Sequence, residues 1–78
     1  MEHTFIGVVP LADFLLKFYL TDGSVRFLDM KPYIELGDFK ALKDFEVFKT
    51  VYLDRLEGIC WDYANLSLSK DTIIAHMH

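Results

Sequence analysis

A chain of 78 residues, 53% apolar, with a single cysteine and a net charge of −4, makes one small domain that no internal disulfide staples and that offers no basic cluster to a nucleic-acid backbone. No stretch reaches the roughly 18–20 apolar residues of a membrane helix, and the start, MEHTFIGVV, is no basic leader, so the expectation is a reducing cytoplasm with neither membrane nor direct nucleic-acid contact. Seven Phe, four Tyr and one Trp are more rings than so small an interior readily holds, which predicts a homo-oligomer, most simply a twofold dimer.

In chain order, TFIGVV (4–9) is β-branched and aromatic and predicts a strand; Pro10 puts it at a sheet edge or a bend. DFLLKFYL (13–20) predicts a second strand, with Leu16, Phe18 and Leu20 on one face and Leu15, Lys17 and Tyr19 on the other. TDGS then turns the chain. Asp-Gly between two apolar runs signals a two-residue type I′ hairpin, in which Asp22 and Gly23 both take positive φ. VRFLDM (25–30) returns. In that register Leu20 opposes Val25 and Phe18 opposes Phe27 on the core face, while Tyr19 lies across from Arg26 and Lys17 across from Leu28. Asp29 then shares the core face near Leu16, where its carboxylate would cap the backbone of 31–34 or pair with a neighbour.

Pro32 opens a short helical turn over 32–36. Residues 38–49 carry Phe39, Leu42, Phe45 and Phe48 at a spacing of three, which predicts one helix or two short helical turns with Asp38 as a cap. TVYLD (50–54) and GICWD (58–62) read as further strands. Ser69 is placed as the N-cap of a C-terminal helix over about 70–76, with Asp71 in its first turn. The order predicts the α+β class for a single domain spanning 1–78. It would be a mainly antiparallel small sheet of about five strands, with short helical segments and the C-terminal helix on one face.

The polar residues yield no catalytic constellation. Asp22 and Asp29 stand at opposite ends of one strand, roughly 23 Å apart at about 3.3 Å per residue, against the roughly 5–10 Å of paired glycosidase carboxylates. Asp22, Gly23, Asp29 and Ser69 are therefore assigned to turns and caps. His3, His76 and His78 lack a thiol or carboxylate at metal-ligand spacing, so no metal is expected. Cys60 alternates with Ile59 and Trp61, has no histidine in its strand, and reads as a small apolar filler. The four glycines stand apart at 7, 23, 37 and 58 and form no phosphate loop. No catalytic residue and no cofactor follow. The aromatics are the stronger lead. Tyr19 and Arg26 would stack on the face away from the core, and Tyr33, Tyr52 and Trp61 would extend an interaction surface, with ordinary core packing as the competing assignment for Trp61.

The hairpin DGSVRFLDM, the segment GDFKALKDFEVFKTV, and GICW followed by LSKDTI together resemble the bacterial domain of unknown function 2442. The matching positions are Asp22, Gly23, Asp29, Gly37, Phe39, Leu42, Asp44, Phe48, Trp61, Leu68, Ser69, Asp71 and Ile73, spread over about residues 5–74. The chain departs at Asp62-Tyr63, where the family often has Pro-Asn, and at Ile74, where it often has Tyr. The resemblance implies a small α+β domain without an established activity. Family members occur alone, fused to helix-turn-helix domains, or beside another small protein in a toxin–antitoxin-like arrangement. Only 17 residues follow Trp61, too few for a fused DNA-binding module. The expected function is a non-enzymatic protein-interaction or regulatory module. The alternative is a small-ligand binder with an aromatic pocket between helices and sheet. A hydrolase ranks last, for want of a nucleophile–base pair.

Overall fold

The computed structural model describes residues 4–77. The α+β class holds, but with six strands in two antiparallel sheets. The first sheet has the order β1-β2-β3, with β1 Phe5–Leu11, β2 Leu15–Leu20 and β3 Val25–Asp29. The second has β4 Tyr52–Leu53, β5 Ile59–Trp61 and β6 Leu66–Leu68. Pro10 lies in β1, an edge strand, where its missing N–H leaves no central ladder bond unmade. The additional strand β6 is three residues long, between Asn65 in the left-handed region (φ 55°) and the helix cap at Ser69. A strand that short has no alternation to betray it.

The β2–β3 hairpin differs from expectation by one residue. Leu20 N–H donates to the Ser24 carbonyl (3.0 Å) and Gly23 N–H to that of Leu20 (3.1 Å), which makes a three-residue loop, Thr21 to Gly23. Gly23 alone takes positive φ, at 86°. Asp22 instead folds its carboxylate back to accept from the Ser24 N–H (2.9 Å). The pairs are therefore Leu16–Leu28, Phe18–Arg26, Lys17–Phe27, Tyr19–Val25 and Leu15–Asp29. A one-residue slip exchanges the faces of a strand. Leu28 is buried, and Phe27 and Asp29 stand on the side away from the core.

The turn between β1 and β2 holds two consecutive non-glycine residues at positive φ, Asp13 at 64° and Phe14 at 58°. Phe14 is held there from both sides. Its carbonyl accepts from Met30 N–H (2.9 Å), and its ring packs edge-on against Phe48 and Phe45, with centroids at 5.2 and 6.1 Å. The helical region after β3 divides in two, a 3₁₀ segment Gly37–Lys43 and a single α-turn, α1 Phe45–Phe48. The extended Asp44 between them caps α1 by accepting from Glu46 N–H (3.0 Å). The cap thus falls to Asp44, while Asp38 sits in the first turn of the 3₁₀ segment. Helix α2, Lys70–His76, begins as expected, with Ser69 accepting from Thr72 N–H (3.3 Å).

The inner face of the first sheet, through Leu16, Phe18, Leu20 and Leu28, joins Leu42, Phe48, Ile59, Trp61 and Ile73 in one hydrophobic cluster. Trp61 is wholly buried. It stacks on Phe48 and donates its indole N–H to the Phe48 carbonyl at 2.9 Å, so its polar atom enters the core satisfied. Glu57 ties three elements together: Oε1 accepts from the Phe5 N–H of β1 (2.9 Å) and pairs with Lys70 of α2 (3.1 Å). No helix among the described residues is long and apolar enough to cross a membrane.

Candidate functional site

Two surfaces concentrate side chains capable of chemistry or recognition. The first is the outer row of the second sheet, where Tyr52, Cys60 and Ser67 lie side by side on β4, β5 and β6. Carboxylates flank the row. The Tyr52 hydroxyl donates to Asp62 at 2.8 Å, and the Cys60 thiol donates to Asp54 Oδ2 at 3.4 Å. Asp54 is fixed by closing the β4–β5 turn, its Oδ1 accepting from Leu56 N–H (2.8 Å) and Gly58 N–H (2.9 Å). Gly58 is required there, since a Cβ would lie 2.6 Å from the Leu68 carbonyl oxygen.

These contacts set the protonation states. The hydrogen bond to Asp62, above all, pushes the Tyr52 phenol up to about 12. Burial and then the Asp54 carboxylate raise the Cys60 thiol above its ordinary value. The N–H groups of Gly58 and Leu56 hold Asp54 below the usual carboxylate value. Near neutral pH the row therefore presents a protonated thiol and a protonated phenol, and neither is an activated nucleophile. A cleft of about 430 Å³ beside it is lined by Asp54, Gly58, Ser67, Ser69, Lys70 and Asp71 together with Leu56 and Leu68, a mixed set without an aromatic ring.

The second surface is the outer face of the first sheet. Its cross-strand rows are Leu11–Leu15–Asp29, Val9–Lys17–Phe27 and Gly7–Tyr19–Val25. A bulge in β1 between Phe5 and Gly7 adds Ile6 beside the last row. Ile6 is 63% exposed, and Val9, Tyr19 and Phe27 each more than a third exposed. The Tyr19 ring lies over Gly7, 3.6 Å from where a Cβ would stand, and Lys17 Nζ sits 5.0 Å from the Tyr19 ring centroid. Aromatic and aliphatic side chains thus cover a three-stranded surface with Lys17 in its middle row.

The five residues expected to form an interaction surface do not converge. Tyr19 lies on this outer face. Arg26 lies on the opposite face, across from Phe18, with Nη1 on the Val25 carbonyl (3.1 Å), so Lys17 takes the place beside Tyr19 that Arg26 was expected to hold. Tyr33 is half-buried and meets His76 edge to face at 5.8 Å. Tyr52 belongs to the second sheet, and Trp61, fully buried, is on no surface. Among the turn and cap residues, Asp29 accepts from the Lys31 N–H (2.9 Å) and pairs with Lys31 Nζ (3.1 Å), which is the expected cap reached from the outer side. Ile6, Val9 and Phe27 were missed. Had Gly23 been read as the left-handed third residue of a three-residue loop, alternation would have put Phe27 beside Lys17. Among the described residues no three His, Cys, Asp or Glu side chains are grouped to hold a metal ion; His3 and His78 lie outside the described residues.

A comparison with curated proteins finds no match, and neither does one with solved structures. A family model described as "Protein of unknown function (DUF2442)" matches residues 5–78. The hairpin, the Phe-rich helical segment, the Trp-bearing strand and the Ser-capped helix therefore belong to one family pattern that runs along nearly the whole chain, and this protein is a member of the DUF2442 family.

Proposed function

We propose that this chain is a non-enzymatic protein-interaction module of the cytoplasm, with a regulatory role, that docks through the outer face of its first sheet. The observation that carries the reading is the grouping of Ile6, Val9, Tyr19 and Phe27, each more than a third exposed, on that one face. Contiguous exposed apolar surface on a small domain marks a contact site, because covering it removes that surface from water. Tyrosine and phenylalanine are also residues enriched where partners meet. The protonated thiol and phenol of the second sheet favour binding over catalysis. The resemblance to a family found beside other small proteins agrees with a role exercised through a protein partner.

The test is affinity capture of a tagged full chain from cells that also carry the untagged chain, with Val9→Asp and Phe27→Asp as comparisons. Both sites are exposed, so circular dichroism is expected to match the parent. The expected result is a co-purifying protein, either a second copy or a different chain, that both variants lose. Capture that survives both substitutions would remove the outer face from the reading.

A further inference from the structure

We infer that the open edge of β3 is a strand-addition site, which takes an extended segment of a different protein with a carboxylate opposite Arg26 and an apolar side chain beside Phe27. The inference goes beyond the outer face of the sheet to the backbone at its border, and does not depend on what covers that face.

The hydrogen bonds of the hairpin define the edge. Leu20 N–H donates to the Ser24 carbonyl at 3.0 Å, so these two residues form a hydrogen-bonded pair. Such pairs alternate with unbonded ones along an antiparallel ladder. Phe18–Arg26 and Leu16–Leu28 are therefore hydrogen-bonded, whereas Tyr19–Val25 and Lys17–Phe27 are not. The backbone groups of Val25 and Phe27 thus point away from β2, and β3 ends the order β1-β2-β3. Among the described residues, the Phe27 N–H and carbonyl meet no hydrogen-bond partner, and the Val25 carbonyl accepts from Arg26 Nη1 at 3.1 Å. The other edge of the sheet is blunted. Pro10, opposite Leu16, sits where the backbone also points away from β2 and has no N–H to offer, and the Phe5 N–H is held by Glu57.

The side chains select the occupant. A strand added to an edge gains affinity from main-chain bonds and specificity from alternate side chains. Arg26 lies on the inner side of β3, and its guanidinium meets no carboxylate among the described residues. A carboxylate opposite it gives a stronger, charge-assisted bond than the neutral Val25 carbonyl, which is then left to accept from the added strand. A second copy has no such group on an edge strand. Of the edge strands β1, β3, β4 and β6, only β3 holds an acidic residue, Asp29, which stands on the outer side and is already engaged by Lys31. The occupant is therefore a different chain. It carries a carboxylate on the side of Arg26 and, one residue away, an apolar side chain against the exposed Phe27.

Titration of the isotope-labelled full chain with capped peptides of about nine residues, followed by its amide NMR signals, tests this. The probe alternates valine with threonine and carries one glutamate in place of the central threonine. The expected result is a progressive shift of the Val25, Arg26 and Phe27 amides. A peptide with lysine in place of the glutamate is expected to bind about fivefold more weakly, and Arg26→Glu to reverse that preference. N-methylation of the valines removes the N–H that meets the Phe27 carbonyl and is expected to abolish binding. Phe27→Pro is expected to do the same, since it removes the outward N–H where a strand edge tolerates proline. Val9→Asp, on the far strand, is expected to bind like the parent. A parent whose edge amides do not respond to the glutamate peptide overturns the inference. So does binding that survives both N-methylation and Phe27→Pro, or a preference that Arg26→Glu leaves unreversed. Loss of binding in Val9→Asp would place the peptide on the outer face, and edge amides that move with the chain's own concentration would place a second copy on β3; either overturns it. Failure of the peptide to bind leaves affinity capture through the outer face unchanged, so the two readings fail separately.

Discussion

Cys60 shows how a neighbouring group decides what a residue can do. Its sequence context, between Ile59 and Trp61, suggests an inert filler, yet the thiol lies on the outer side of the second sheet in a polar row. Burial and the Asp54 carboxylate together keep the thiol protonated, and Asp54 in turn is oriented by the turn it closes. At pH 8.5 alkylation of Cys60 by iodoacetamide is expected to be slower than that of a cysteine in an unstructured peptide, because less thiolate is present. Asp54→Asn keeps an acceptor for the turn and removes the charge, and is expected to speed the reaction. A parent rate equal to the peptide's would show that the thiol is not held protonated. Neither the contact nor the shift was legible in the sequence, because Asp54 reaches Cys60 only through the closure of the β4–β5 turn.

At the scale of elements, the β1–β2 turn is the place where packing overrides local preference. Aspartate tolerates the left-handed region better than most residues, but phenylalanine does not. Phe14 stays there because its ring fills the gap over Phe45 and Phe48 and its carbonyl anchors Met30. Asp13→Gly removes left-handed strain but adds freedom to the unfolded chain, for a net gain of about 0.5 kcal/mol, or about 2–4 °C in Tm. Phe14→Gly relieves more strain but forfeits the ring contacts and is expected to lose about 2 kcal/mol. Thermal unfolding of the two variants checks the contrast; equal effects would mean that the Phe14 ring contributes nothing. The element boundaries show the same division. Ser69 was readable as a cap because capping is local chemistry, needing only a side-chain oxygen before a helical run. The split of 38–49 into a 3₁₀ segment and an α-turn was readable only as an alternative, since spacing by three suits both. Strand β6 was not readable, because three residues acquire strand character only from pairing with β5.

Over the whole molecule, one carboxylate links β1 to the start of α2 in addition to the packing of Ile73 in the core. Glu57, at φ 65°, accepts from β1 and pairs with Lys70 at the start of α2. The Phe5 N–H first, and Lys70 second, hold it below its ordinary 4.5, as backbone donors hold Asp54 below its 3.8. Carboxylates with depressed folded-state values stabilise the fold fully above their ordinary values, and that contribution is lost as pH falls through the folded values. Urea midpoints measured from pH 6 to pH 2 are therefore expected to fall from about pH 4.5 downward. Glu57→Gln is expected to be less stable than the parent at pH 6 and to show a shallower acid decline; parallel profiles would exclude Glu57 as a source of the pH dependence.

The sequence by itself determined what depends on neighbours along the chain: the position of the β2–β3 hairpin, the cap at Ser69, the α+β order and the family pattern. Tertiary structure decided what depends on contacts across it. The bond between Leu20 and Ser24 closes a loop of three residues rather than two, and because strand faces alternate at every residue, that one residue turned Phe27 outward and Leu28 inward. The stacking of Phe48 and the carbonyl it offers to the indole took Trp61 into the core. Which aromatic rings meet solvent was settled by these long-range pairings, and local propensity carries no record of them.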